Sequence, residues 1–554
     1  MGDIKYKAEK VHQAIPQMMD DLKSGKMSRR EFLRTTTLLG LSAGAAYGIS
    51  NRLLGRSFFP EARAAAGARG GTLKCSMRVM ELSDPSTSDW VPKSNLARTL
   101  VEFLTVTGPD NITRPYLCER WEASEDLKTW TLHLRKGIKW SNGDAFGADD
   151  VVFNFERWLD PATGSSNIGL FGSMVTEKDG KKSMTPGAVE KVDDHTVRLH
   201  LNRPELAIPE NLYNYPTAIV HHRFSEEGGD LSKNPVGTGP YQLEEFRVGE
   251  KAVFTKRPGY WGGDVSLDKI IYVDHGDERA AAIGALASGQ VDLIYELFVD
   301  QLEVIDSLPD AQLFEAVTAQ TAVARMRVSH KPFDNKELRQ AFQACIDHER
   351  VLELAYRGRG AVAENHHVSP IHPEYFAMAK VKPDIEKAKQ RLKEAGHADG
   401  INVSIDANND AKWEIDAIQA MVQMWKPAGI DVKINVMPGS QYWDVWDKTP
   451  FGMTSWTHRP LGVMVLNLAY RSGVPWNESN YSNPDFDQAL DEASGELDVN
   501  ERRTKMENVQ QILQDDGVIV QPLWRSVFAA GSTKVHGFKM HPTIYHQLND
   551  VSVG

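Results

Sequence analysis

Cysteine is scarce: the 554 residues hold three, Cys75, Cys118 and Cys345. None stands at a metal or redox spacing, so a cysteine zinc site and a dithiol motif are excluded, and the odd count leaves at least one thiol free. A Cys118–Cys345 bridge stays open in an oxidising compartment. Cys75 follows Thr72-Leu73-Lys74; a lipobox needs a small residue just before its cysteine, which argues against a lipid anchor there. Beyond the N-terminal region no run is long and apolar enough to span a bilayer. Positive charge is also short: 63 Lys and Arg face 75 Asp and Glu, a formal net of −12. That balance argues against non-specific nucleic-acid binding, which depends on neutralising phosphates. Catalytic signatures are missing too. Gly237-Thr238-Gly239-Pro240-Tyr241 lacks the Gly-Lys-Ser/Thr ending of a phosphate loop and reads as a tight turn into a strand. His348-Glu349 lacks the second histidine of a zinc-protease helix, and there is no Gly-x-Ser-x-Gly elbow.

What is present is globular. A chain of this length, 41% hydrophobic and 25% charged, buries several cores. Residues 1–66 carry eleven Lys and Arg against six Asp and Glu. Within them Ser28-Arg29-Arg30-Glu31-Phe32-Leu33 resembles the twin-arginine export motif. The mildly apolar Thr35–Ser50 follows, then a small-x-small site at Ala62-Arg63-Ala64 or Ala64-Ala65-Ala66. The order predicts a leader covering 1–66, whose start at Met1 or Met27 stays open, and a mature protein that is soluble outside the cytoplasmic membrane.

The most informative stretch is Thr129–Asp160. Trp130, Leu132 and Leu134 alternate with polar residues at the period of a half-buried strand, and Ile138 and Trp140 resume that alternation. Ser141-Asn142-Gly143-Asp144 supplies turn chemistry. From Gly147 the period becomes helical, with Val152, Phe155 and Leu159 on one face, Val151 and Trp158 beside them, and Asp149 and Asp150 at the N-terminus. Further on, Ile401–Ala407 reads as a strand, Ala411–Pro427 as a helix ended by Gly429, and Ile430–Met437 as a strand. A crossover of this length makes the two strands parallel.

The segment LHLRKGIKWSNGDAFGADDVVFNFER resembles the signature of the family-5 solute-binding proteins, extracytoplasmic receptors of ABC importers for peptides, nickel and related solutes. Leu100–Trp121, Asn234–Tyr241 (NPVGTGPY), Asn335–Tyr356, Ala388–Gly396 and Tyr481–Ala493 are similar to other parts of that family, in the same order. The resemblance implies an α/β, two-lobed fold of the periplasmic binding protein type (type II) with a third, inserted domain. Lobe I would be built from 67–102, 206–317 and 527–554, the insert from 103–205 and lobe II from 318–526. It implies a monomer that needs no cofactor or catalytic group, closes over a small solute and passes it to ABC permease subunits. The other readings are a secreted hydrolase, a nickel- or haem-binding receptor of the same fold, and a ligand-loaded sensor or chaperone.

Candidate ligand residues fall in two groups. In open parallel sheets ligands sit beyond the carboxyl ends of the strands; here that edge holds Asn408, Asn409 and Asp410, Trp413 on the next helix, and Tyr442 in Met437–Tyr442. These residues serve equally as a turn and helix cap. The second group is Thr454-Ser455-Trp456-Thr457-His458-Arg459-Pro460. Peptide-binding family members commonly show a tryptophan here followed three residues later by an aspartate that holds the peptide's ammonium. This chain keeps Trp456 but has Arg459 in place of the acid. A guanidinium accepts no hydrogen bond and repels an ammonium, yet grips a carboxylate or phosphate. The expected ligand therefore presents an anionic group to Arg459. Tyr470-Arg471 is a weaker candidate of the same kind. His366-His367, with His372 nearby, could hold a metal, but no cysteine or carboxylate stands at ligand spacing beside them, and no metal site is expected.

Overall fold

The computed structural model describes residues 15–23, 26 and 70–554, apart from 166, 179, 277, 381 and 410. The export motif, its apolar run and the cleavage sites lie outside the described residues, as does Asp410. No helix among the described residues is long and apolar enough to cross a membrane.

One large mixed sheet organises the molecule. Its strands run in the order Tyr241–Arg247, Lys251–Lys256, Lys269–Val273, Thr72–Ser76, Leu293–Leu297, Leu523–Ser532, Ala311–Met326, Phe451–Trp456, Ile401–Asn408 and Ile430–Met437. Thr72–Ser76 is parallel to both of its neighbours. At the other end Ile401–Asn408 pairs in parallel with Ile430–Met437 across the helix Lys412–Trp425, as the alternating periods predict. The two halves meet through two shared strands. Ala311–Val317 pairs with Ser526–Ser532, the register then slips, and Thr321–Met326 pairs with Phe451–Trp456. Burial follows the same break: the first part of this long strand is half-covered and residues 318–326 are buried.

Separate apolar cores lie on either side. One gathers Leu73, Phe254, Tyr272, Leu293, Phe538 and Tyr545. Another gathers Phe342, Ile405, Trp425, Phe451 and Met453. The result is a two-lobed α/β fold.

Residues 118–200 build a second, four-stranded sheet, with strand Thr129–Leu134 inside it. Trp130, Leu132 and Leu134 are buried and alternate with half-buried neighbours. Ile138 and Trp140 are buried as expected, but form no strand; a single bridge, Lys139–Ala145, replaces it. The turn before the helix compacts the chain and takes the ladder partners away. The helix Ala148–Trp158 buries Val151, Phe155 and Trp158. Val152 is only half-buried, because the buried Asn154 holds the adjoining face by bonding the Val220 backbone at both its carbonyl (2.6 Å) and its N–H (3.2 Å). Asp150 caps the helix through the Gly147 N–H (3.0 Å).

The loop 237–241 packs against the end of the helix Val91–Leu100. A Cβ on Gly237 would lie 2.0 Å from the Leu100 carbonyl oxygen, and one on Gly239 2.6 Å from it. Glycine is needed here for close approach of two backbones. All three cysteines are free and buried, so the open Cys118–Cys345 pairing does not form.

Candidate functional site

The residues expected to line a cleft divide into those that face the core and those at the junction of the lobes. Trp413 is 7% exposed and packs edge-on against Tyr356, with the Arg525 guanidinium 5.9 Å from its ring. Tyr442 is buried; its hydroxyl donates to the Met453 carbonyl (2.7 Å) and bonds Thr454 Oγ1 (2.8 Å). Asn408 is buried at the strand end, and Asn409 is exposed with its N–H on the Met437 carbonyl. Arg471 pairs with Asp491 and donates to Asn467 Oδ1. None of these shares a hydrogen bond with Arg459.

Trp456 ends the strand Phe451–Trp456 and is held by its ring N–H, which donates to Glu478 Oε1 (2.9 Å). Sequence reasoning missed Glu478, whose buried carboxylate also pairs with the buried Arg325 (2.9 Å) and accepts from Thr454 Oγ1 (2.6 Å). A buried charge needs such satisfaction. Trp476, 47% exposed, lies 6.1 Å from the Trp456 ring and carries the aromatic surface outward.

Arg459 differs from every other member of the predicted set. Its guanidinium donates to Thr457 Oγ1 (2.9 Å) and the His458 carbonyl (3.2 Å). Among the described residues it has no carboxylate partner. Burial pulls its pKa below the ordinary arginine value, with Tyr215 and Tyr545 the ionisable groups nearby. The side chain nevertheless keeps part of its surface accessible. Arg98 is sandwiched by Tyr545 (3.7 Å), Phe103 (4.1 Å) and Tyr213 (4.3 Å). It donates to Ser94 Oγ and the Tyr213 carbonyl, and among the described residues it forms no ion pair with a carboxylate. Both guanidinium groups act on the Tyr545 hydroxyl, lowering its pKa against the rise that burial causes.

His458 is 3% exposed and both ring nitrogens are engaged: Nδ1 accepts from the Ala319 N–H (3.0 Å) and Nε2 lies 3.0 Å from Asn111 Oδ1. Burial holds its pKa well below the usual histidine value, so the ring is neutral. His372 shows the same pattern, accepting from Ser369 N–H (3.0 Å) and reaching the Arg459 carbonyl (3.0 Å). His367 bonds the Tyr470 hydroxyl (2.6 Å), and burial pushes its pKa down to about 3. His366 meets Glu364 Oε2 at 3.0 Å, so a carboxylate does stand beside this histidine pair, two residues upstream. The pair sits in a loop with both His366 ring nitrogens and His367 Nδ1 hydrogen-bonded within the protein, and among the described residues it joins no cluster of three or more metal-ligating groups.

Asp150, His221 and His222 are the one group brought close enough to hold a metal among the residues described. Asp150 Oδ1 already accepts from the His222 N–H (3.0 Å) and meets its Nδ1 (2.8 Å), while Oδ2 accepts from Gly147 N–H and Trp140 Nε1–H. Its lone pairs are spent on a helix cap, so this group does not fit a metal ion. A cavity of about 510 Å³, lined by Lys336, Asn483, Asp485 and Asp515 among others, opens beside the helices Pro484–Ser494 and Val499–Asp516 and does not include Arg459.

Comparison with known proteins places this geometry. The family described as bacterial extracellular solute-binding proteins, family 5 Middle, matches residues 113–466. The heme-binding protein A of Haemophilus influenzae is 29% identical over 487 residues, covering 82% of this chain and 86% of that protein. The di/tripeptide-binding protein 1 of Pseudomonas aeruginosa is 27% identical over 481 residues, covering 79% and 86%. The crystal structure of CtaP, an ABC transporter substrate-binding protein of Listeria monocytogenes, superposes with a TM-score of 0.76 over 88% of this chain and 99% of that one, at 22% identity.

Proposed function

The chain belongs to the family-5 bacterial extracellular solute-binding proteins and is the substrate-binding component of an ABC-type importer; from this premise we propose that its solute carries an anionic group, gripped by Arg459 as the lobes close. The observation that carries the reading is the Arg459 guanidinium, set at the junction of the lobes with no acidic partner among the described residues. Relatives named for heme and for di- and tripeptides show that membership does not fix the ligand. The local chemistry must do so, and a cation here selects against a free ammonium and for a carboxylate or phosphate.

Lobe I is assigned to 67–102, 206–317 and 527–554, the insert to 103–205 and lobe II to 318–526; the register slip after Val317 and the four-stranded sheet within 118–200 support these divisions. Export by the twin-arginine route rests on Arg29-Arg30 and the run after them. The protein acts outside the cytoplasmic membrane as a monomer, partnering membrane permease subunits, and binds without altering its solute. A receptor needs only a cleft, a hinge and a ligand that favours the closed state.

The test is a thermal-shift series on the mature protein with Ala-Ala, N-acetyl-Ala-Ala, succinate and inorganic phosphate. A ligand that binds only the folded state raises the melting temperature. The reading predicts stabilisation by an anionic, amine-free compound, lost in Arg459→Ala, and no response to Ala-Ala unless Arg459→Asp is introduced. A shift for Ala-Ala with the native chain, or a shift indifferent to Arg459→Ala, contradicts it.

A further inference from the structure

The hairpin formed by Thr105–Thr107 and Thr113–Pro115 opens the segment assigned to the insert and is anchored on lobe I. The Thr107 carbonyl accepts from Gln547 Nε2 (2.7 Å) and lies 3.0 Å from His541 Nε2, and Thr105 Oγ1 donates to the Pro209 carbonyl (2.7 Å). Its tip reaches the opposite lobe. Asn111, at φ 58° and 9% exposed, donates through Nδ2 to the carbonyls of Pro460 (2.9 Å) and Ile371 (3.3 Å). Its Oδ1 faces His458 Nε2.

The direction of every proton in this chain of bonds is fixed by one backbone amide. The Ala319 N–H can only donate, so His458 Nδ1 accepts. The neutral ring must then carry its proton on Nε2 and donate it to Asn111 Oδ1. That places the Asn111 amide nitrogen toward the two carbonyls, where both of its hydrogens are used. The far end, Ala319, lies within the register slip between Val317 and Thr321, where the long strand passes from one lobe to the other. His458, the residue next to Arg459, therefore joins the tip of the opposing hairpin to the crossover strand. His372 supports the same backbone from below through the Arg459 carbonyl.

We propose that Asn111 is a closure latch and positioning residue: it fastens the two lobes in their closed arrangement and, through His458, holds the crossover strand and the backbone of Arg459 in place without touching the solute. The part concerning Arg459 rests on the reading of that residue as the solute contact; the latch itself does not.

The test needs no ligand. Cysteines introduced at the exposed Gln242 and Lys433, on the terminal strands of the two lobes, accept spin labels, while the three native thiols are buried. Interlobe distances are then measured in ligand-free protein. Asn111→Gly suits the left-handed backbone and removes only the side chain. It should lower the ratio of short-distance to long-distance populations at least about fivefold, the loss expected for bonds worth ~1 kcal/mol each. It should also speed hydrogen exchange in the peptide that contains Ala319. His458→Phe should open the protein similarly, and the double variant no further than either single one, since both break the same chain of bonds. Unchanged distances and exchange in Asn111→Gly, or additive effects in the double variant, overturn the latch. A native protein with only long distances overturns it too, and leaves the Arg459 reading to stand or fall on its own thermal-shift series.

Discussion

His546 illustrates how strongly burial acts on single groups in this protein. Its ring stacks on Tyr272 (5.7 Å, 13°) and Nδ1 bonds the Tyr272 hydroxyl (3.0 Å). Burial, with Arg98 nearby, pushes its pKa down to about 3. The unfolded chain takes up a proton near pH 6.5 that the folded one refuses. The stability this residue contributes is therefore complete above pH 6.5 and is lost as pH falls toward 3. Urea unfolding of the native chain and His546→Gln at pH 7.5 and 4.5 should show the gap between them shrinking by roughly 2–3 kcal/mol at the lower pH. An unchanged gap would mean the ring is not held neutral. At this scale the sequence says little. Trp413 and Tyr442 stand at the right edge of a parallel sheet, yet both turn inward, because the first turn after such a strand also packs on the sheet. Glu478 escapes a reading of local pattern altogether, since its value lies in Arg325, 153 positions away.

Local elements were far more legible. The alternation of Trp130, Leu132 and Leu134 and the helical period after Gly147 record one-sided burial directly, so strand and helix fall where expected. The Ile138–Trp140 segment has the same alternation but no ladder partner, and periodicity cannot distinguish a strand from an extended turn with buried side chains. The glycine loop at 237–241 was readable as a turn, but the reason for its glycines was not: they let the chain pass against the Leu100 carbonyl. Gly237→Ala should therefore cost at least about 2 kcal/mol in urea unfolding, since a backbone must shift to admit the methyl. Gly143→Ala, with open space around it but φ at 96°, should cost only about 1 kcal/mol from backbone strain. Equal costs would contradict the close-approach account.

At the scale of the whole molecule, one sheet runs through both halves and changes register between Val317 and Thr321, where the proposed hinge would lie. The crossover of 401–437 was visible in the sequence because each of its elements is. The meeting of Asn111 with His458 was not, since 347 residues separate them. Arg98 lies 3.7 Å from the Tyr545 ring and Arg459 adds positive charge near it, so the proposed solute would bring an anion toward two guanidinium groups. The most direct test is native mass spectrometry of the mature protein and of Arg459→Asp purified side by side from the same cells. The native chain should carry a small acidic compound in one-to-one ratio that is missing from the variant. The same bound compound on both, or a basic compound on the native chain, would contradict the account.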